Sequence, residues 1–128
     1  MTDQGALTGL KVLLVEDEML VSLLIEDTLV GEQCIVVGPF SRVPQAMDAA
    51  RSEQIDLAIL DVNVAGTMVF PVADILAARH IPFLFLSGYG RQAVPPDHPD
   101  WSVCSKPFRP EELVTMLVAQ MDGSANAA

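Results

Sequence analysis

The stretch PFLFLSGYGRQAVPPDHP, residues 82–99, decides which kind of fold the chain can form. Phe83 to Leu86 form an unbroken apolar run, which is typical of a strand covered on both faces. In a βα unit a helix should follow, but Ser-Gly-Tyr-Gly comes next, and Pro95, Pro96 and Pro99 leave too little room for a full helix. The stretch therefore predicts a buried strand of a parallel sheet, followed by a helix that is short, mobile or missing.

The rest of the chain repeats the pattern of a strand followed by a helix. The other strand-like runs are KVLLVE (11–16), CIVVG (34–38), DLAILDV (56–62) and WSVCSK (101–106). Helices are predicted over about 18–30, from an N-cap at Ser41, near 71–79 with Pro71 in the first turn, and from Pro110 onward. Alternating strands and helices with apolar strands indicate an α/β fold, in which a five-stranded parallel sheet carries helices on both faces.

Composition excludes several classes of protein. The 128 residues suit one domain, and the 51% of hydrophobic residues argues against disorder. A net charge of −10 argues against direct binding to nucleic acid. The first residues do not read as a signal peptide and no apolar run has the length of a membrane span, so we expect a cytoplasmic protein. Cys34 and Cys104 lie in apolar runs and are expected to be buried free thiols.

Chemically active side chains stand where the predicted strands end. Ligand sites of parallel α/β sheets lie outside the carboxyl ends of the strands. The residues at these positions are Glu16-Asp17-Glu18, Asp61, Ser87 and Lys106. Taken singly, Asp17 could cap a helix, Ser87 could be a turn residue and Lys106 a solvated charge. Asp61 is different, because a carboxylate emerging from a central buried strand needs a partner.

Together these side chains suit phosphoryl transfer. Two carboxylates repel each other by about 4 kcal/mol at about 4 Å in an effective dielectric of about 20, and a divalent cation relieves that repulsion. An all-oxygen cluster favours Mg²⁺ over zinc. One carboxylate can then act as a nucleophile towards phosphorus, while the Lys106 ammonium and the Ser87 hydroxyl neutralise the phosphoryl oxygens.

The same residues resemble the receiver domain of bacterial response regulators over about residues 10–122. VLLVEDE carries the acidic pair Glu16 and Asp17, LAILDVN the phosphoacceptor Asp61 with Asn63, FLFLSG carries Ser87, and SKPF carries Lys106. The resemblance implies a flavodoxin-like (CheY-like) doubly wound sheet in the order 2-1-3-4-5 and a cis bond between Lys106 and Pro107. It also implies an Mg²⁺ site formed by Asp17, Asp61, the main-chain carbonyl of Asn63, and Glu16 through a water. Residues 1–9 would be an N-terminal extension and residues 123–128 a disordered tail.

A narrower resemblance concerns the FAT GUY subgroup of stand-alone receivers. Leu86 and Ser87 occupy the Ala and Thr positions of its signature, and Val103 stands where most receivers carry a switch aromatic residue. The subgroup implies a sensor histidine kinase of the HWE type, or a phosphotransfer protein, as partner. We expect the switch to be a rearrangement of residues 88–100 that involves Ser87 and Tyr89.

Two of these motifs also resemble those of other protein classes. Gly88-Tyr-Gly90-Arg-Gln-Ala93 fits a dinucleotide-binding fingerprint, but the prolines exclude the long helix that the fingerprint needs. The other rival is an aspartate-nucleophile phosphatase, because Asp61-Val-Asn63-Val resembles an Asp-x-Asp-x motif. Asn63 replaces its general acid, and 128 residues leave no room for a cap domain. We therefore expect a phosphoacceptor that does not turn over substrate.

Overall fold

The computed structural model describes residues 5–127, with side chains described for residues 5–122. Its main sheet consists of the parallel strands β1 (Lys11–Val15), β2 (Ile35–Phe40), β3 (Leu57–Asp61), β6 (Phe83–Ser87) and β7 (Ser102–Ser105). The strand order is β2-β1-β3-β6-β7, which is the predicted order 2-1-3-4-5 when these five strands are counted alone. A small antiparallel hairpin, β4 (Asn63–Val64) and β5 (Thr67–Met68), follows β3 and was not predicted.

Helices cover both faces of the sheet, as predicted. They are α1 (Met19–Gly31), α2 (Val43–Ser52), α3 (Phe70–Ala78) and α4 (Pro110–Ala127). One face packs on α2 and α3 through residues such as Leu13, Leu60 and Phe85. The other face packs on α1 and α4 through residues such as Leu14 and Ile59. Neighbouring strand residues point to opposite faces, so a strand buried on both sides must be apolar throughout.

Helix α1 leaves many of its apolar residues exposed. Its buried positions are Ser22, Ile25 and Leu29, whereas several other apolar residues of the helix are exposed. Leu20 is 82% exposed and Val30 is 63% exposed. Because the helix is apolar on nearly every side, the periodicity of its residues does not identify the side that packs on the sheet.

No α-helix lies between β6 and β7 among the described residues. The connection contains a short 3₁₀ helix, Gly90–Ala93, so the prediction of a short or missing fourth helix is confirmed. Trp101 fills part of the space beside the sheet, with ring centroids 5.3 Å from Phe83 and 5.4 Å from Phe85. The Arg91 side chain donates hydrogen bonds to the main-chain carbonyls of Trp101 and His98. The buried side chains of Val94 and Trp101 thus anchor this connection in the core, and Arg91 links its 3₁₀ helix to its C-terminal end.

The ends of the elements refine the predictions. The N-cap of α2 is Arg42 and not Ser41, whereas Pro71 does lie in the first turn of α3. Before β1, Leu7 is buried in the core beside α1. Helix α4 continues into the predicted tail, 123–128, whose side chains lie outside the described residues, as do residues 1–4 of the predicted extension. The boundaries of extension, domain and tail therefore stay predictions.

Two further expectations are met. The peptide bond between Lys106 and Pro107 is cis, and Cys34 and Cys104 are buried free cysteines. Over the part of the chain that the structure describes, no helix combines the length and the apolar composition required to cross a bilayer.

Candidate functional site

The predicted site residues meet at one edge of the sheet. Glu16 directly follows β1, Asp61 ends β3, Ser87 ends β6 and Lys106 directly follows β7. Parallel pairing of β3 with β6 and of β6 with β7 brings these strand ends side by side. The topology thus gathers acids, a hydroxyl and an ammonium from four strands at one place.

The Lys106 ammonium lies among three carboxylates. Its Nζ is 3.2 Å from Glu16 Oε1, 3.2 Å from Glu18 Oε1 and 3.3 Å from Asp61 Oδ2. The side chain of Glu16 is 0% exposed and that of Asp61 is 10% exposed, whereas that of Glu18 is 63% exposed. We call Glu16, Glu18 and Asp61 the carboxylate cluster. Two of its members are fixed inside the protein and the third reaches in from the surface.

The charges of this cluster are strongly interdependent. Burial, followed by the neighbouring Asp61, raises the pKa of Glu16 to about 7, against the lowering effects of the Glu18 N–H and of Lys106. Burial alone would lower the pKa of Lys106, but Asp61 and Glu16 outweigh burial, so its pKa is raised and the side chain stays an ammonium. The site therefore keeps its cation while it holds more negative charge than that cation can balance.

Asp17 and Asn63 shape the mouth of the site. Asp17 Oδ2 accepts a hydrogen bond of 3.0 Å from the Ala65 N–H, and Asn63 Oδ1 accepts one of 3.0 Å from the Gly66 N–H. Ala65 and Gly66 both have positive φ, at 52° and 84°, as the tight turn between β4 and β5 requires. The hairpin that the sequence did not predict thus connects the loop after β1 with the loop after β3.

Ser87 and Tyr89 occupy different environments. Ser87 is 3% exposed, and its Oγ accepts a hydrogen bond of 2.9 Å from the Tyr89 N–H. A hydroxyl that accepts one bond still has its own hydrogen to donate. The Tyr89 side chain is 83% exposed at the rim. Val103, at the position of the missing switch aromatic, packs partly buried against the aromatic side of the core.

A cavity of about 730 Å³ opens over these residues. Asp17, Asp61, Asn63, Ser87, Tyr89 and Lys106 line it, and so does Glu18. One oxygen from each member of the carboxylate cluster lies within 4.8 Å of the others, so the cluster could hold a metal ion. The all-oxygen donor set suits Mg²⁺. Glu18 was not predicted as a ligand, although its place beside Glu16 and Asp17 was a signal.

Comparisons with known proteins agree with this geometry. No model of a protein family matches the chain. The regulatory protein VanR from Enterococcus faecium is 29% identical over 119 residues, which are 87% of this chain and 49% of VanR, so the chain spans about half of that relative.

Solved structures match most of the chain. SdrG from Sphingomonas melonis Fr1 is 37% identical, with a TM-score of 0.75 over 91% of this chain and 97% of the SdrG chain. The receiver domain of the sensor histidine kinase PA1611 from Pseudomonas aeruginosa PAO1, which has a magnesium ion in its active-site cleft, is 21% identical. Its TM-score is 0.75, and the match covers 90% of this chain and 99% of that domain.

Proposed function

Because the chain belongs to the receiver-domain family of two-component response regulators, we propose that Asp61 accepts a phosphoryl group from a sensor histidine kinase or a phosphotransfer protein. The observation that carries the proposal is the position of this carboxylate. Asp61 ends the central strand β3, is nearly buried, and lies 3.3 Å from the Lys106 ammonium at the base of an open cavity. No other carboxylate of the cluster ends a strand of the sheet.

The transfer uses groups that this chain supplies. An Asp61 oxygen forms a bond to phosphorus while the bond from phosphorus to the donor's histidine nitrogen breaks, and the electron pair of that bond stays on the imidazole. Lys106 neutralises charge on the phosphoryl oxygens. Ser87, buried on the neighbouring strand, donates its hydroxyl hydrogen to one of those oxygens once it has turned towards them.

The acidic residues would hold Mg²⁺. Asp17, Asp61, the main-chain carbonyl of Asn63 and Glu16 through a water are the proposed ligands, and Mg²⁺ supplies positive charge that offsets repulsion between the carboxylates and the incoming phosphate. The magnesium ion in the active-site cleft of the PA1611 receiver supports a magnesium site in this cleft. In the structure Asp17 Oδ2 accepts a hydrogen bond from the Ala65 N–H, and Asp17 is not a member of the carboxylate cluster.

The partners follow from the proposed chemistry. The donor would be a kinase of the HWE type or a related class, acting in the cytoplasm, and the phosphorylated domain would act through protein contacts or serve as a phosphate shuttle or sink. The net charge of −10 argues against nucleic acid as a direct binding partner.

Substitution of the phosphoacceptor tests the proposal. With a cognate kinase and labelled ATP, or with labelled phosphoramidate, the wild-type protein should gain a label that is stable in acid and labile in base. Asp61→Asn should abolish that label, because the amide cannot form the acyl phosphate. Asp74→Asn on the far helix α3 is a matched control and should label normally. Full labelling of the Asp61→Asn protein would refute the assignment.

The wild-type and Asp61→Asn proteins also test the phosphatase interpretation. A hydrolase with an aspartate nucleophile turns over an ordinary phosphomonoester many times, whereas a receiver does not. Incubation with p-nitrophenyl phosphate and Mg²⁺ should release no more nitrophenol than the Asp61→Asn protein releases. Sustained release that depends on Asp61 would favour the hydrolase.

A further inference from the structure

We propose that Glu18 is a positioning residue that pairs with the Lys106 ammonium beside Asp61 until an incoming phosphoryl group displaces it. This inference rests on the proposed function and concerns the control of its rate. Lys106 Nζ donates a hydrogen bond of 3.2 Å to Glu18 Oε1. The ammonium that would neutralise the phosphoryl oxygens is therefore already paired with a carboxylate.

The three partners of Lys106 differ in how easily each can break its contact with the ammonium. Glu16 and Asp61 have side chains that are 0% and 10% exposed, and both are fixed close to the ends of their strands. Glu18 is 63% exposed, and its carboxylate can return to water at little cost. Glu18 is therefore the partner that can be exchanged.

The backbone of Glu18 stays in place when the side chain moves. Its N–H donates a hydrogen bond of 3.1 Å to Glu16 Oε2, and it is the N-cap of α1, where its side chain makes no capping hydrogen bond. Its side chain is thus not needed to begin the helix. Substitution of Glu18 should change the partner of Lys106 and leave the fold unchanged.

The charge balance of the cavity predicts how the rate of phosphorylation changes when Glu18 releases Lys106. Among the described residues that line the cavity, Lys106 is the one with a positive charge, while Asp17, Glu18 and Asp61 carry carboxylates. A phosphoryl donor must compete with Glu18 for that cation. Release of Lys106 from Glu18 should therefore speed phosphorylation, by about fivefold if the contact has the strength of an exposed ion pair of about 1 kcal/mol.

Two substitutions separate this contact from simple charge repulsion. Glu18→Gln removes the charge, whereas Glu18→Asp keeps the charge but shortens the side chain by one methylene, so the carboxylate no longer reaches Nζ. Aspartate is also a favourable N-cap, so this variant should fold. Asp27→Asn on the exposed side of α1 controls for the loss of one charge elsewhere on the helix.

The experiment follows phosphorylation by phosphoramidate at saturating Mg²⁺. In this reaction an Asp61 oxygen bonds to phosphorus, the phosphorus–nitrogen bond breaks, and the nitrogen leaves as ammonia with a proton taken from water. Both Glu18 variants should raise the ratio of the maximal rate to the half-saturating donor concentration by about fivefold. They should also bind beryllofluoride, the phosphate mimic, more tightly by a similar factor, and Asp27→Asn should match the wild type.

Every other result contradicts the inference. Acceleration by Glu18→Gln alone would mean that repulsion, and not the contact with Lys106, sets the rate. Slower phosphorylation with a tenfold or larger loss of Mg²⁺ affinity by calorimetry would make Glu18 a metal ligand. Unchanged rates in both variants would leave Glu18 without a role. A wild-type protein that takes no label would overturn the proposed function, and the inference with it.

Discussion

At the scale of single residues, burial determines which groups are reactive. The proposed nucleophile, Asp61, lines the open cavity, while the two thiols of the chain are shielded. Cys34 is 8% exposed, and its Sγ donates a hydrogen bond of 3.5 Å to the Leu7 carbonyl. Burial raises the pKa of Cys34 to about 11, and burial together with Glu112 raises the pKa of Cys104. The thiols are therefore part of the core and take no part in the chemistry of the site.

We predict that neither thiol reacts with Ellman's reagent in the native protein at pH 8. Only about one part in a thousand of Cys34 would be thiolate at that pH, and the reagent cannot reach the thiol. Since the raised pKa stabilises the folded state below the usual thiol pKa, that contribution should be lost as the pH rises from about 9 to about 11. Protein unfolded in guanidinium should react at both thiols. One equivalent that reacts within seconds in the native state would contradict the burial.

At the scale of secondary-structure elements, the 88–100 segment is the main departure from an ordinary βα unit. Prolines prevent a helix, so Trp101 and its neighbours cover the sheet instead. His98 stacks on Trp101 with ring centroids 3.7 Å apart, and Arg91 bonds to the carbonyls at both positions. Few main-chain hydrogen bonds stabilise the segment internally, and such segments open at low free-energy cost.

We predict that activation changes hydrogen exchange in this segment. Amide protection across 91–99 should differ between the free protein and the protein treated with beryllofluoride and Mg²⁺, because Ser87 Oγ accepts the Tyr89 N–H and its movement towards the phosphate would shift the start of the segment. Arg91→Lys should raise exchange there by about tenfold, the effect of losing one charged hydrogen bond. Arg79→Lys is the control, since Arg79 donates to the Ala50 carbonyl between α2 and α3. Strong protection that is the same in both states would exclude a switch in this segment.

The elements also show what the sequence could and could not predict. The strands and their order follow from runs such as DLAILDV, because a strand buried on both faces must be apolar. The hairpin after β3 was missed, since strands of two residues have no recognisable period. The packing side of α1 was missed, because a helix that is apolar all round lacks an amphipathic signal. The pairing of Glu18 with Lys106 was missed, because the order of the strands places both residues at one edge of the sheet but does not determine which side chains make contact there.

At the scale of the whole molecule, the site opposes folding when no cation is bound. The carboxylate cluster gathers more negative charge than Lys106 can balance, and the net charge of −10 adds to the repulsion. Active sites commonly contain charges that destabilise the folded protein, because the same charges bind the ligand. Binding of Mg²⁺ to the folded state alone should therefore be visible in the stability of the entire domain.

We predict that Mg²⁺ at about 100 times its dissociation constant raises the free energy of unfolding by about 2.7 kcal/mol, a shift of about 10 °C in melting temperature. Excess EDTA should reverse the shift. Asp17→Asn should blunt it, whereas Asp74→Asn on α3 should leave it intact. A melting temperature that does not respond to millimolar Mg²⁺ would contradict the metal site.

The aromatic packing beside β6 has an optical consequence. Trp101 is the one tryptophan in 128 residues, so all indole emission of the protein comes from the point where the 88–100 segment meets the sheet. The imidazole stacked on that indole is a potential quencher of its excited state. If the segment lifts from the sheet, the fluorophore loses that neighbour and meets water, so intensity and wavelength change together. The chain thus carries its own unlabelled reporter, which stopped-flow spectroscopy can follow on the millisecond scale.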